Sequence, residues 1–387
     1  GGITDAEVVG FKGPEALLMA IGPTTGIRPG SPVLPTGRRL HVRVSRKMVG
    51  RILDSLGRPI DGKEEFSGEP FPIVSDGINP LQRERITEPL DLGVRVLNGL
   101  FTCGKGQRLG IVAGTGVGKS VLMGMIARYT EADVNVIALI GERSREVREF
   151  IERDLQEEGL RRSVVVVCTA QEPGLAKVSA AFTATAIAEY FREEGMDVLL
   201  MMDSLTRVAM AQREVGLAIG EPPTTKGYTP SVFALLPRLL ERAGTTSGKG
   251  SITGLYTILV EGDDLTDPVA DAAMSVLDGH IVLSRALAME GVYPAVDVQR
   301  SISRVMPDIV SEHHRRTAMK FIETYSIYRK NEDLINIGAY KEGTNPDIDR
   351  AIKLMPRLRA YIKQDIGQKA DFTDSLHSLM LIFEEGV

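Results

Sequence analysis

The chain has no tryptophan, two cysteines and five histidines among its 387 residues, and aromatic side chains make up 5% of it. Cys103 and Cys168 alone cannot build a disulfide framework, so the fold must be held by an apolar core, and a reducing compartment suits it. His41, His280, His313, His314 and His377 show no metal-ligand spacing, which excludes a histidine-built zinc site and leaves them structural roles. No apolar run approaches the roughly 20 residues needed to cross a bilayer, and no signal-peptide pattern opens the chain. The chain opens Gly-Gly without Met, so the missing signal carries little weight, and a cytoplasmic location is the expectation. Positive charge is not in excess either. The 46 Lys and Arg stand against 51 Asp and Glu, a net charge of −5, so no overall basic field favours nucleic acid and only a local basic groove stays open. Internal repeats and low-complexity tracts are also missing.

What is present is a chain long enough for two or three domains of about 100–200 residues each, with 43% apolar residues and 40 glycines. Residues 1–46 alternate short β-rich pieces (EVVGF, ALLMAIG, HVRV) with Gly/Pro turns and predict small antiparallel β structure, a barrel, short enough to imply further strands upstream. Residues 47–95 are rich in Pro and Gly and read as a linker packed on the next domain. From about 96 to 316 the pattern changes to consecutive apolar runs: RLGIVA, NVIALIG, SVVVVCT, DVLLMMD, GLYTILV and HIVLSR. Such runs suit strands buried on both faces, and their alternation with helical stretches such as 174–194 and 204–218 predicts a parallel α/β sheet. Residues 317–387 are mostly helical, with breaks at Gly338, Gly343–Pro346 and Pro356. The resulting domains are 1–46, 47–316 and 317–387.

Residues 113–120, AGTGVGKS, lie between an apolar run (Leu109–Val112) and a helical pattern (Val121–Tyr129). That setting is the one a phosphate-binding loop requires. Glycines let backbone N–H groups curl around an anion, and the helix behind aims its positive end at the same point. Gly114, Thr115, Gly116, Val117, Gly118, Lys119, Ser120 and Val121 are the candidate nucleotide-binding residues. Lys119 would neutralise the β- and γ-phosphates and Ser120 would hold Mg²⁺. The motif begins with Ala113 where glycine is usual, and a flexible turn that happens to contain lysine is the plain alternative.

Further candidates gather around that loop. Asp203 ends VLLMMD and would bind Mg²⁺ through water; its alternative is to cap the helix starting at Ser204. Glu142 ends NVIALIGE, where desolvation and phosphate charge would raise its pKa and Mg²⁺ would lower it, the setting of a carboxylate that activates water. Arg143, Arg145 and Glu146 make the rival reading an ordinary salt-bridged loop. Arg304 in QRSISRV is either a remote arginine for the transferring phosphoryl group or a surface ion-pair partner. Tyr293, stiffened by Pro294, is a candidate to stack on adenine or a core residue, and Phe372 is the candidate for the other side of that pocket.

With these residues in hand, the chain resembles the catalytic ATPases of the rotary type, and within them the flagellar protein-export and type III secretion ATPases. The resemblance rests on LDSLGRPIDG, RITEPLDLGVRVLNGLFTCGKGQRLGI, AGTGVGKS, GERSREVREFIE, DSLTRVAMAQREVGLAIGEPPTTKGYTPSVFALLPRLLERAG, EGDDLTDPVADAAMSVLDGHIVLSR and YPAVDVQRSISRV. It implies a RecA-like phosphate-loop ATPase core with a small N-terminal β-barrel and a C-terminal helical domain. It implies ATP and Mg²⁺, with Glu142 activating water, Arg143 near the γ-phosphate, Arg304 reaching the adjacent subunit's site and Tyr293 on adenine. It implies a homohexamer facing a stalk-like coiled-coil protein through the loop at 263–268, working with an export gate and chaperone–cargo complexes at the inner face of the bacterial cytoplasmic membrane. Family members carry a longer N-terminal segment that promotes hexamer formation and binds a regulatory stator protein, so that binding site is expected to lie outside this sequence.

DLINIGAYKEGTNPDID is similar to the flagellar branch, with injectisome secretion as the alternative. A hexameric RNA translocase is disfavoured by the acidic balance and the lack of a basic, aromatic single-strand platform near the N-terminus. A non-catalytic subunit of a rotary assembly is disfavoured by the joint presence of Lys119, Glu142 and Asp203.

Overall fold

The computed structural model describes residues 3–384 apart from Asp76, Lys249, Gly262, Asp263 and Leu265. Its centre is one nine-stranded sheet. Seven strands run parallel, in the spatial order Gly279–Leu283, Arg108–Ala113, Ser251–Leu259, Val198–Asp203, Val134–Glu142, Ser163–Thr169 and Arg51–Leu53. Ile302–Ser303 pairs antiparallel with Gly279–His280, and Gly244–Thr245 pairs antiparallel with Ser251–Ile252. The inner strands are apolar on consecutive residues because helices cover both faces. Val198–Met202 and Val136–Ile140 are buried throughout.

Two apolar clusters result, one on each face. Helices Gly174–Glu193 and Leu205–Ala218 pack on one face, and Lys119–Tyr129 packs on the other. Gly174–Glu193 buries sixteen of its twenty residues, so it is a core helix, apolar nearly all round.

The strand Arg51–Leu53 lies in the stretch expected to be linker. It joins the sheet beside Val164–Val166, and Arg51 is held there by Asp61 through Nε at 2.7 Å and Nη2 at 2.9 Å. A three-residue strand is too short to stand out in sequence. Residues 6–12 and 15–20 form an antiparallel hairpin, and His41–Val44 pairs with Glu69–Pro72.

The helical C-terminal part begins with Glu312–Asn336, capped by Ser311, so the expected boundary at 316/317 falls inside this helix. Pro346–Ile362 and Phe372–Glu384 follow. The expected break at Pro356 does not occur. Proline removes one helical N–H, but Leu354, Met355 and Leu358 on the same helix are buried, and their packing keeps it continuous. No helix among the described residues is long and apolar enough to cross a membrane.

Candidate active site

Parallel strands put all their carboxyl ends on one edge of the sheet, where crossover loops leave room for a ligand. Ala113, Glu142 and Asp203 are each the last residue of such a strand. Gly116 and Gly118 take positive φ, 78° and 87°, which releases the chain into the helix Lys119–Tyr129. Apart from its two chain neighbours, no described residue has an atom within 4 Å of where a Cβ on Gly116 would be, so the backbone there is open to a ligand. Thr115 and Gly116 are exposed and Val117 is buried, anchoring the loop.

The Lys119 ammonium bonds Asp203 Oδ1 and lies 3.7 Å from Glu142 Oε1. To do so it crosses the strand Ser251–Leu259, which separates its own strand from that of Asp203. Thr257 on that intervening strand donates from Oγ1 to Asp203 Oδ1 at 2.7 Å. Asp203 therefore does not cap the next helix. Ser204 does, its Oγ accepting from Arg207 N. The acid is left aimed at Lys119, at the head of the helix that follows the phosphate loop.

Glu142 resolves in the same way. Arg143 pairs with Glu146 at 3.1 Å and Arg145 with Glu149 at 2.8 Å, so the salt-bridged loop exists, but Glu142 turns from the arginines to Lys119. Burial pushes its carboxyl up to about 7; Lys119 opposes the shift, while Asp203 and a hydrogen bond with Glu146 add to it. Glu146 is lowered by the same hydrogen bond. Arg143 is an exposed side chain paired with Glu146.

Tyr293 is not a core residue. It is 46% exposed, and its ring stands over Gly118, where an added Cβ would lie 3.4 Å from Cδ1 and Cε1. Phe372 is elsewhere: its ring packs on His314 at 5.9 Å between centroids, and its N–H is held by Asp91 Oδ2 at 2.7 Å. The C-terminal segment brought to Tyr293 is the one following Ile362, since Gln364 N donates to Tyr293 O at 2.9 Å. Ile366, two residues on, is half exposed.

Arg304 is not brought to this loop. It follows Ser303, which pairs with Gly279, while Leu283 at the far end of that strand pairs with Ala113. Four residues of strand separate the two levels, about 13 Å at roughly 3.3 Å per residue. Arg304 is exposed, with Nη1 on Leu277 O at 3.2 Å. The loop at 263–268 lies partly outside the described residues, Asp263 and Leu265 among them. Asp267 caps the helix Pro268–Val276 and pairs with Lys226 at 3.4 Å.

One residue at the site went unrecognised in the sequence. Arg207 lies against Gly141, where an added Cβ would be 3.0–3.2 Å from its Cβ, Cγ and Cδ, and its buried Nε has no hydrogen-bond partner among the described residues. The signal was its place four positions after Asp203, one helical turn beyond a strand-end acid.

Among the described residues no three acidic, histidine or cysteine side chains form a metal cluster. The donor set here, one hydroxyl (Ser120) and one carboxylate (Asp203) beside a phosphate loop, suits Mg²⁺, which takes one or two protein oxygens and completes its shell with phosphate and water.

A strand-end acid pair around the lysine of a glycine loop, on a parallel sheet, defines a phosphate-loop nucleotide-binding protein. The ATP synthase alpha/beta family, nucleotide-binding domain, matches residues 93–303; the beta-barrel domain of that family matches 2–37, and the T3SS EscN ATPase C-terminal domain matches 310–381. The chain belongs to the ATP synthase alpha/beta family, on the branch of the flagellum-specific and type III secretion ATPases. It is 55% identical over 380 residues to the flagellum-specific ATP synthase of Bacillus subtilis, covering 98% of this chain and 86% of that protein. The flagellum-specific ATP synthase of Salmonella typhimurium is 50% identical over 390 residues, covering 98% and 85%. The assembled ATPase EscN of the enteropathogenic E. coli type III secretion system superposes with a TM-score of 0.91 at 43% identity, covering 97% of this chain and 92% of that one. EscN in complex with its central stalk EscO gives the same TM-score, covering 97% and 91%.

Proposed function

We propose that this chain is an ATP hydrolase that energises flagellar type III protein export, its site built on Lys119, Glu142 and Asp203. The observation that carries the reading is the Lys119 ammonium held between the two acids at the head of the loop helix. The phosphate loop and Lys119 bind the β- and γ-phosphates. Ser120 and Asp203 are the groups that would hold Mg²⁺, which when bound neutralises phosphate charge. Glu142 orients a water in line with the γ-phosphorus and takes its proton as the new P–O bond forms and the β–γ bridge breaks. Arg207, with an unused Nε donor and its stem against Gly141, adds positive charge next to the Glu142 strand end. Tyr293 stacks on adenine, and Ile366 is a better candidate than Phe372 for the pocket's other side.

Arg304 serves a neighbour. A head-to-tail ring brings one protomer's outer surface to the next one's site, and the exposure of Arg304, away from its own phosphate loop, supports that reading. EscN assembles and binds a central stalk; a homohexamer around a stalk-like protein, contacting it through the loop at 263–268, is the corresponding proposal here, at the inner face of the cytoplasmic membrane. Flagellar use is favoured over injectisome use because the flagellar relatives are 48–55% identical and the EscN chains 43%.

Calorimetry of ATP·Mg binding with Lys119→Ala and turnover with Glu142→Gln test the reading. Lys119→Ala is expected to abolish binding, and Glu142→Gln to keep binding while turnover falls about 10²–10⁴-fold. Wild-type turnover in Glu142→Gln removes that residue from the chemistry.

A further inference from the structure

The segment that carries Tyr293 is held at both ends by the C-terminal helices. Glu290 closes the short helix Arg285–Met289, and its two carboxylate oxygens are taken by different helices. Oε2 pairs with Arg359 of Pro346–Ile362, and Oε1 lies 3.6 Å from Arg329 of Glu312–Asn336. Arg329 also binds Glu332 at 2.7 Å. Buried Tyr325 lies within the field of the same charges and of Asp297.

Three residues after Glu290, the Tyr293 carbonyl accepts from Gln364 N, just past the end of the helix that carries Arg359. Gln364 is itself fixed, its Nε2 donating to Gly93 O at 2.9 Å and to Gln368 O at 2.7 Å, its Oε1 accepting from Arg95 N at 2.7 Å. Farther along, Gln299 Nε2 donates to Ser326 Oγ at 3.1 Å. The Tyr293 ring, meanwhile, rests on Gly118 of the phosphate loop.

We propose that Arg359, with Arg329, is a positioning residue for the base of the nucleotide: the ion pairs to Glu290 hold the Tyr293 ring at its distance from the phosphate loop, so that C-terminal helix packing sets affinity for the base without touching the reacting phosphates. The inference rests on the reading of Tyr293 as the adenine-stacking residue. The Glu290–Tyr293 stretch is short and its other end is fixed by Gln364, so loss of the Glu290 ion pairs loosens one end, still tied by Gly291 N to Ala288 O and Val292 N to Leu287 O, and lets the exposed ring shift. The phosphate loop, Lys119 and Glu142 are anchored to the sheet and stay where they are. Partly exposed ion pairs are weak individually, so the expected effect is a shift in affinity, not its loss.

The test compares wild type, Arg359→Met, Glu290→Gln, the double variant, Arg359→Lys and Tyr293→Ala in the full chain. KM and kcat for ATP are measured, with the inhibition constant of inorganic tripolyphosphate, which has no base. Thermal unfolding checks each fold. Arg359→Met and Glu290→Gln are expected to raise KM for ATP about two- to fivefold, the upper part of the range for partly exposed ion pairs. The double variant adds little to either, Arg359→Lys recovers part of the loss, and kcat and the tripolyphosphate constant stay within about twofold. Wild-type KM in Arg359→Met, or an equal loss of tripolyphosphate affinity, overturns the proposal. If instead Tyr293→Ala leaves the preference for ATP over tripolyphosphate unchanged, it is the stacking reading that fails.

Discussion

Lys119 and Arg304 stand at opposite ends of one sheet. Lys119 follows the carboxyl end of Arg108–Ala113, and Arg304 follows Ile302–Ser303, two strands along, level with the start of the intervening Gly279–Leu283. One protomer cannot bring them together, so a site that uses both takes them from two. Lys119→Ala and Arg304→Ala are each expected to be inactive alone. Mixed in equal amounts and reassembled as rings, they should regain roughly one quarter of wild-type turnover, the fraction of junctions with both residues intact. No recovery on mixing would remove Arg304 from the shared site.

Glu142 fixes the pH dependence. A base must be ionised to accept a proton, and burial sets its carboxyl at about 7 in the free protein. The value of kcat/KM, which reports the free enzyme, is therefore expected to rise with pH through about 7 and to level off above it. A bell centred well below 6 contradicts this assignment.

The same shift acts on stability with the opposite sign. The folded protein binds this proton more tightly than the unfolded chain, whose glutamate keeps a value near 4.5. The stabilising contribution is full below 4.5 and is lost as pH rises through about 7. Glu142→Gln removes the penalty of ionising the group. It should stabilise the protein at pH 8 by an amount of order 1–3 kcal/mol and have little effect at pH 4, as urea melts at the two pH values will read.

Thr257 is expected to matter through Asp203. Thr257→Val removes the hydroxyl that donates to Asp203 Oδ1, and a hydrogen bond to a charged group contributes about 1.5–3 kcal/mol. The Mg²⁺ concentration for half-maximal turnover should rise about three- to tenfold, a partial reading of that energy because Lys119 still holds the acid. An unchanged Mg²⁺ titration would leave Thr257 with a packing role alone.

Phe372→Ala separates structure from chemistry. Its ring packs on His314, and His314 Nε2 donates to Gly99 O over 2.8 Å. The change is expected to lower the unfolding free energy by about 2–4 kcal/mol, toward the low end of the range for a phenylalanine because the ring is only partly buried. KM for ATP should stay at the wild-type value, whereas Tyr293→Ala raises it.

Much of the site was legible in the sequence because each part has a local signature. A glycine loop needs a strand before it and a helix after it, and acids at strand ends follow apolar runs. Glu142, Asp203 and Lys119 were found that way. What stayed open was which of two roles each played, since a strand-end acid is also a good helix cap and an acid among arginines is also a good ion-pair partner. Only the direction of the side chain decides, and direction depends on what crosses from the neighbouring strand. Ser204 took the capping role, Glu146 took Arg143, and the remaining acids turned to Lys119.

Phe372 shows the limit from the other side. An aromatic near the C-terminus carries no record of which wall it faces, and the partner it found, His314, is 58 residues earlier. The segment that does reach Tyr293, at Gln364, is bound through its backbone N–H, and every residue but proline has one, so no side-chain pattern points to it. Arg207 was passed over for a similar reason, because an arginine one turn into a helix looks like any other until its buried Nε is seen without a hydrogen-bond partner.

By itself the sequence determined the elements and their chemistry: period, apolar runs, glycines and caps act within a few residues, and those interactions need no knowledge of the rest. Strand order was decided only in three dimensions. That Ser251–Leu259 lies between the strands of Lys119 and Asp203, and that Arg304 stands at the sheet's opposite end, follow from which buried surfaces pack together over distances of a hundred residues and more. Packing of that kind is a property of the whole core, and the core exists only when the chain is folded.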